Sequence, residues 1–165
     1  MIAAGVTCVA DMYMKTGTIA QQIVEAGISA NLSCGGVYFG APEDFSPETC
    51  GDCRNQIALT EEWHGANDGQ ILVDASVHGE YTSHQQLWRW MAGYAREHGL
   101  GMHVHISETR SEHEECLARH GKTPSRSSTT TACGTPGPSP PTAYTPPRRT
   151  GPSWRKRGSP PSTTP

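Results

Sequence analysis

The run 101–109 reads Gly-Met-His-Val-His-Ile-Ser-Glu-Thr, ending with a carboxylate three residues after a histidine. On a strand of period two, Met102, Val104 and Ile106 share one face, and His103, His105 and Ser107 share the other. Two imidazoles are then on the polar or ligand-facing side, with Glu108 leaving the strand end. A neutral imidazole is a good zinc ligand, and a carboxylate held nearby can shuttle protons for a metal-bound water. The same spacing also suits a solvated histidine pair on a sheet edge, and the spacing alone leaves both readings open.

Those residues need elements to hold them, and the chain alternates strand and helix signals. Residues 7–12 read as a strand leading to a helix over 18–26, where Ile19, Ile23 and Val24 form the apolar face and Gly27 stops it. A second strand is expected over 28–32. Ser46, with Pro47 at the first helical position, is expected to cap a helix running through Cys53 and Ile57 toward Trp63. A third strand follows over 70–77. Ser83 is expected to cap a helix over 84–98, where Leu87, Trp90, Met91 and Tyr94 recur at helical spacing before Gly99. Residues 101–107 form the fourth strand, and 112–120, closed by Gly121, the last helix. Alternation of this kind implies parallel βαβ units.

All 16 acidic residues precede residue 116, although the net charge is only −3. Residues 1–122 carry −9 and residues 123–165 carry +6. The late segment is Ser, Thr, Pro, Gly and Arg with almost no aliphatic residues, too little apolar surface to offset chain entropy. We therefore expect a folded body over 1–123 and a disordered tail over 124–165. The opening run 1–10 is apolar but has no basic leader and is too short to span a bilayer, so it reads as a helix end and a buried strand. Cysteines at 8, 34, 50, 53, 116 and 133 show no disulfide-framework spacing, which fits a reducing compartment, with the cytoplasm expected.

Three segments carry a resemblance to a known family. Val77-His-Gly-Glu-Tyr81, the run Met102-His-Val-His-Ile-Ser-Glu-Thr109 and the opening Ala4-Gly-Val-Thr-Cys-Val-Ala-Asp-Met-Tyr13 resemble the amidohydrolase superfamily. The branch is that of 5-methylthioadenosine/S-adenosylhomocysteine deaminases and related chlorohydrolases, and the likeness covers residues 1–124. It implies an α/β fold, a partial (β/α)8 TIM-type barrel of about four βα units, since a whole barrel takes about 250 residues. Two sheet edges would then stay open.

By the same resemblance His105 is the strand-five metal ligand, Glu108 handles protons and contacts substrate, and His78 contacts substrate. The implied cofactor is zinc or another divalent metal, the implied partner a small molecule such as a purine nucleoside or another cyclic amidine, and the complete enzyme a homo-oligomer. No membrane or nucleic-acid partner is expected. His103 is assigned a structural role, as is Asp11, for which a structural hydrogen bond is expected. Cys34 stands where the family often has arginine, which leaves the subfamily open. His113 and His120 are expected to be solvated.

The resemblance implies zinc-dependent hydrolysis of C–N bonds, with deamination of an adenosine-type nucleoside as the expected reaction and this chain inactive because its ligand set is incomplete. A one-base shift of frame near residues 124–126 would let the tail encode strings resembling what the family carries next. The contrasting reading is a non-enzymatic metal- or partner-binding protein. It would use the Cys50–Cys53 pair and histidine-rich body with a basic Pro-rich tail around Arg148, Arg149 and Trp154.

Overall fold

In the computed structural model, residues 1–14 and 16–133 are described. The expected tail from residue 134 onward, including Arg148, Arg149 and Trp154, lies outside the described residues, whereas the point of the expected frame shift, near residues 124–126, falls within them. A short 3-10 turn (Ile2–Ala4) precedes β1 (Cys8–Met12), α1 (Thr16–Ala26) and β2 (Ser29–Ser33). After a 3-10 turn at Pro42–Asp44 come α2 (Gly51–Trp63), the single turn α3 (Ala66–Gly69), β3 (Ile71–Val73) and β4 (Ala75–Val77). A further 3-10 turn at Glu80–Thr82 leads into α4 (Gln85–His98), β5 (Met102–Val104), α5 (Arg110–His120) and α6 (Pro124–Cys133).

Every strand pairing is parallel. β1 pairs with β2 and β2 with β3, Leu32 opposite Val73. β4 pairs with β5, Val77 opposite Val104. Only Asp74 separates β3 from β4, so the two form one strand line that faces β2 in its first half and β5 in its second. The join is maintained on both sides: Asp74 N–H donates to the Leu32 carbonyl at 2.9 Å, and Ala75 N–H to the Gly101 carbonyl at 3.1 Å. All four expected strands are present within a few residues of their expected bounds, and the fold is α/β with parallel strands, as the alternation implies.

The two sheet faces differ in kind because side chains alternate. Val9, Ala30, Leu32 and Ile71 pack with Ala20 and Ile23 of α1. Val73 packs with Leu59 and Trp63 of α2, and Val77, Met102 and Val104 with Leu87, Trp88 and Met91 of α4. The opposite face carries Leu72 beside a set of polar groups bonded to one another. Asn31 Nδ2 donates to Asp74 Oδ2 at 2.7 Å, Asp74 Oδ1 accepts from Gly101 N–H at 3.0 Å, and Ser33 Oγ lies 3.1 Å from His103 Nδ1. A Cβ on Gly101 would sit 2.7 Å from Asp74 Oδ1, so the approach of β5 requires glycine there.

Three local expectations need correction. Ser46 does not cap α2: its hydroxyl donates to Glu48 at 2.5 Å, residues 47–49 form a separate turn, and the helix starts at Gly51 with Cys50 as N-cap. Ser83 does not cap α4, since its hydroxyl donates to the Gly36 carbonyl at 3.4 Å. The opening apolar run is not buried: Met1 and Ile2 are exposed, and β1 is an edge strand. Beyond the boundary expected at Thr123 the described residues continue as α6 to Cys133, with Pro124 fully buried and Ser127 and Ser128 nearly so. Among the described residues, no helix is long and apolar enough to cross a membrane.

Candidate active site

The residues singled out by type and spacing meet where β4 and β5 end. His78 immediately follows β4, and its N–H donates to the Gly36 carbonyl at 2.8 Å while its own carbonyl accepts from His105 N–H at 2.9 Å. This backbone tie brings the two imidazoles to a ring separation of 5.2 Å, edge to face at 85°. His78 Nδ1 lies 3.1 Å from Thr82 Oγ1, and Thr82 in turn donates to the Gly79 carbonyl at 3.2 Å. The hydroxyl thus fixes one ring nitrogen and leaves the other for a ligand.

Glu108 reaches this pair through an intermediary. Tyr81 lies edge to face with His78 at 5.8 Å, and its hydroxyl donates to Glu108 Oε2 at 3.3 Å. Partial burial pushes the Tyr81 phenol above its ordinary value, and the neighbouring Glu108 charge adds to that. Behind Glu108 the chain turns sharply. Ser107 has φ 55°, in the left-handed region that a β-carbon disfavours. Glu112, only 3% exposed, holds the turn: its carboxylate accepts from Ser107 N–H at 2.9 Å and from Glu108 N–H at 2.6 Å. Glu112 N–H itself donates to Thr109 Oγ1 at 3.0 Å, which caps α5.

His103 shares a face with His105, 6.2 Å away ring to ring, but its Nδ1 is engaged by Ser33. At Asp11 the hydrogen bond present is to the backbone: the Asp11 carbonyl accepts from Ser33 Oγ at 3.3 Å. Cys34 is buried beside Gln56 and Ser76, and burial pushes its thiol up to about 11, so it is a neutral thiol at physiological pH. Cys50 and Cys53 are buried against Leu87, Trp88 and Met91, with the Cys53 thiol driven upward chiefly by burial. A pair packed this way is part of the apolar core.

The two histidines of α5 are not simply solvated. His113 Nδ1 lies 3.3 Å from Ser107 Oγ. His120 Nε2 lies 2.7 Å from Glu80 Oε1, and Arg119 holds the other oxygen at 2.7 Å. Burial works to raise the Glu80 carboxyl, but Arg119 and His120 outweigh it and hold the group below its ordinary range.

Sequence reasoning passed over Tyr81, Thr82 and Glu112. For Glu112 a signal was present, because Thr109 and Glu112 have the Thr-x-x-Glu spacing of a capping box. Tyr81 and Thr82 carried none, since their contacts depend on the 3-10 turn after His78.

Among the described residues, no three His, Cys, Asp or Glu side chains converge as a metal site. Parallel strands with histidines and a carboxylate gathered at their C-terminal ends define an α/β protein whose candidate groups share one end of the sheet. Residues 1–137 match the amidohydrolase family, and the chain belongs to it.

Individual relatives narrow the comparison. The chain is 36% identical over 124 residues to a 5-methylthioadenosine/S-adenosylhomocysteine deaminase of Moorella thermoacetica, covering 75% of this chain and 28% of that protein. It is 35% identical over 124 residues to a 5'-deoxyadenosine deaminase of Methanoregula boonei, covering 75% and 27%. Among solved structures, an adenosine deaminase from Xanthomonas campestris with bound zinc superposes with a TM-score of 0.64 at 19% identity, covering 76% of this chain and 28% of that one. The chain therefore spans little more than a quarter of the length of the relatives it matches.

Proposed function

We propose that this chain is part of a hydrolase that breaks C–N bonds and that its four strand lines are an arc of a (β/α)8 barrel. The reaction we assign is deamination of an adenosine-type nucleoside: water adds to the amine-bearing ring carbon, a C–O bond forms, and the C–N bond breaks to release ammonia. The names of the two curated relatives support that substrate class. The observation that carries the reading is the meeting of His78, His105 and the Tyr81-tethered Glu108 at the ends of two neighbouring strands.

Each residue has a distinct part. Glu108 accepts a proton from the attacking water and returns it to the departing nitrogen, a role suited to a carboxylate steered by one hydroxyl and still reachable from solvent. His78, fixed by Thr82, presents its free ring nitrogen to the substrate ring. His105 offers one nitrogen to a divalent metal, for which zinc is the candidate. The described residues do not fit a zinc ion by themselves: a catalytic zinc takes about three protein ligands, and here one is assigned. We accordingly assign the chain, as it stands, no deaminase activity.

The test uses two preparations with adenosine as substrate and released ammonia as the readout. The purified 165-residue chain with added zinc is expected to release none above background. A longer version, with an upstream family segment and a one-base frame correction near residues 124–126, is expected to release ammonia and to lose at least about a hundredfold of that rate on Glu108→Gln. Zinc-dependent deamination by the chain alone would sink the claim of inactivity. A folded, zinc-loaded longer version that leaves adenosine and its 5'-modified analogues intact would sink the substrate class.

A further inference from the structure

We propose that Glu112 is a positioning residue for Glu108: its buried carboxylate grips the two amide N–H groups on either side of the Ser107 Cα and so sets where the Glu108 side chain points. The two Glu112 oxygens divide the work, one accepting from Ser107 N–H at 2.9 Å and the other from Glu108 N–H at 2.6 Å. Charge-assisted bonds to two successive amides are among the stronger hydrogen bonds a chain can make. They act where the backbone needs holding, since Ser107 occupies the left-handed region at φ 55° without being glycine.

An ordinary capping box does something different. There the third-position carboxylate bonds the N-cap residue's own amide, and its effect ends at the helix start. Here Thr109 is the N-cap and takes the Glu112 amide at 3.0 Å, whereas the Glu112 carboxylate reaches past Thr109 to the two preceding residues. The turn it fixes aims Glu108 back over the strand end, where Tyr81 donates to Oε2 at 3.3 Å and His78 lies beyond Tyr81. A carboxylate that is 3% exposed and spent wholly on backbone amides is not itself available to substrate. It acts through Glu108.

The inference rests on the reading of Glu108 as the proton carrier, but its test reads the position of Glu108 and not turnover, so the two can fail separately. The full chain is labelled with 15N and 13C and studied by NMR. In the unmutated chain, deuterating the Ser107 and Glu108 amides is expected to shift the Glu112 carboxyl carbon, and both amides are expected to exchange slowly. On Glu112→Gln, Glu108 amide protection is expected to fall roughly tenfold or more, the scale of a lost bond to a charged group. The Tyr81 ring signals are expected to move as they do in Glu108→Gln, with α5 still helical. On Thr109→Ala, α5 is expected to fray while the Glu108 amide and Tyr81 stay in place.

Three results would overturn the assignment: no isotope shift at the Glu112 carboxyl carbon, Tyr81 signals unmoved by Glu112→Gln, or equal displacement of Tyr81 by Thr109→Ala. The first needs no substitution, so it decides the matter even where Glu112→Gln fails to fold.

Discussion

Side chains that bridge backbone segments decide the local geometry of this molecule, and Asp74 is the clearest case outside the candidate site. It interrupts the strand line between β3 and β4, yet its carboxylate ties β2 to β5 by accepting from Asn31 Nδ2 and Gly101 N–H. Gly101→Ala would push a Cβ to 2.7 Å from Asp74 Oδ1, and that oxygen has little room to move because the carboxylate is held on both sides. The expected cost is about 1–3 kcal/mol of unfolding free energy, measured by urea denaturation; no loss would show that β5 can draw back freely.

Glu80 makes the stability of the fold depend on pH. Arg119 and His120 hold its carboxyl below the ordinary value of 4.5, so the folded state favours the charged form. Its contribution is therefore complete above about 4.5 and is lost as pH falls through the lowered folded value. Stability of the unmutated chain should exceed that of Glu80→Gln near neutrality, and the gap should close with acidification below about 4.5. Parallel pH curves for the two proteins would mean that the Arg119–Glu80–His120 cluster contributes nothing to the fold.

At the scale of elements, the strands and the main helices were legible because each has a strong period or a firm stop. α4 shows it well: Leu87, Met91 and Tyr94 are buried at helical spacing, and Gly99 ends the helix at φ 67°. Helix starts were harder. Ser46 and Ser83 have the right residue type for a cap, but each hydroxyl finds a tertiary or loop partner instead, and no local pattern encodes that choice. The site was legible in part for the same reason. His78, His105 and Glu108 stand at strand ends where alternation can be read, whereas Tyr81 joins them only through a 3-10 turn.

The sequence signal was weakest at α6. Ser125, Ser127 and Ser128 with Thr129, Thr130 and Thr131 give no apolar stripe, yet Pro124–Cys133 is helical and packs against α4 and α5. Small side chains let a helix approach closely without filling a groove, and a hydrophobicity pattern does not register that. If the packing matters, ending the chain at Thr123 should lower the melting temperature relative to ending it at Cys133, by roughly 4 °C or more for each kcal/mol lost. Equal melting temperatures would place the boundary of the stable body at Thr123.

At the scale of the whole molecule, four strand lines run side by side, and among the described residues β1 pairs only with β2 and β5 only with β4. Among the described residues each outer strand therefore has one side without a strand partner. Strands of a single parallel sheet share one direction, so the free edge of β1 can meet the free edge of β5 from another copy without reversing either. Neither edge carries the prolines or charges that commonly prevent such pairing, apart from Asp11 near the end of β1. Apolar side chains are also exposed, Leu72 of β3 at 47% and Ile106, just after β5, at 42%. Among the described residues these surfaces are uncovered and can pair with another molecule. Light scattering behind a sizing column should thus give a mass near 17.8 kDa only at low concentration and a rising average above it. Ala10→Lys places a charge on exposed β1 and should hold the protein near the single-chain mass at concentrations where the unmutated chain associates. A constant mass of one chain across the range would show that the edges are protected. Association undiminished by Ala10→Lys would place the contact elsewhere than on β1.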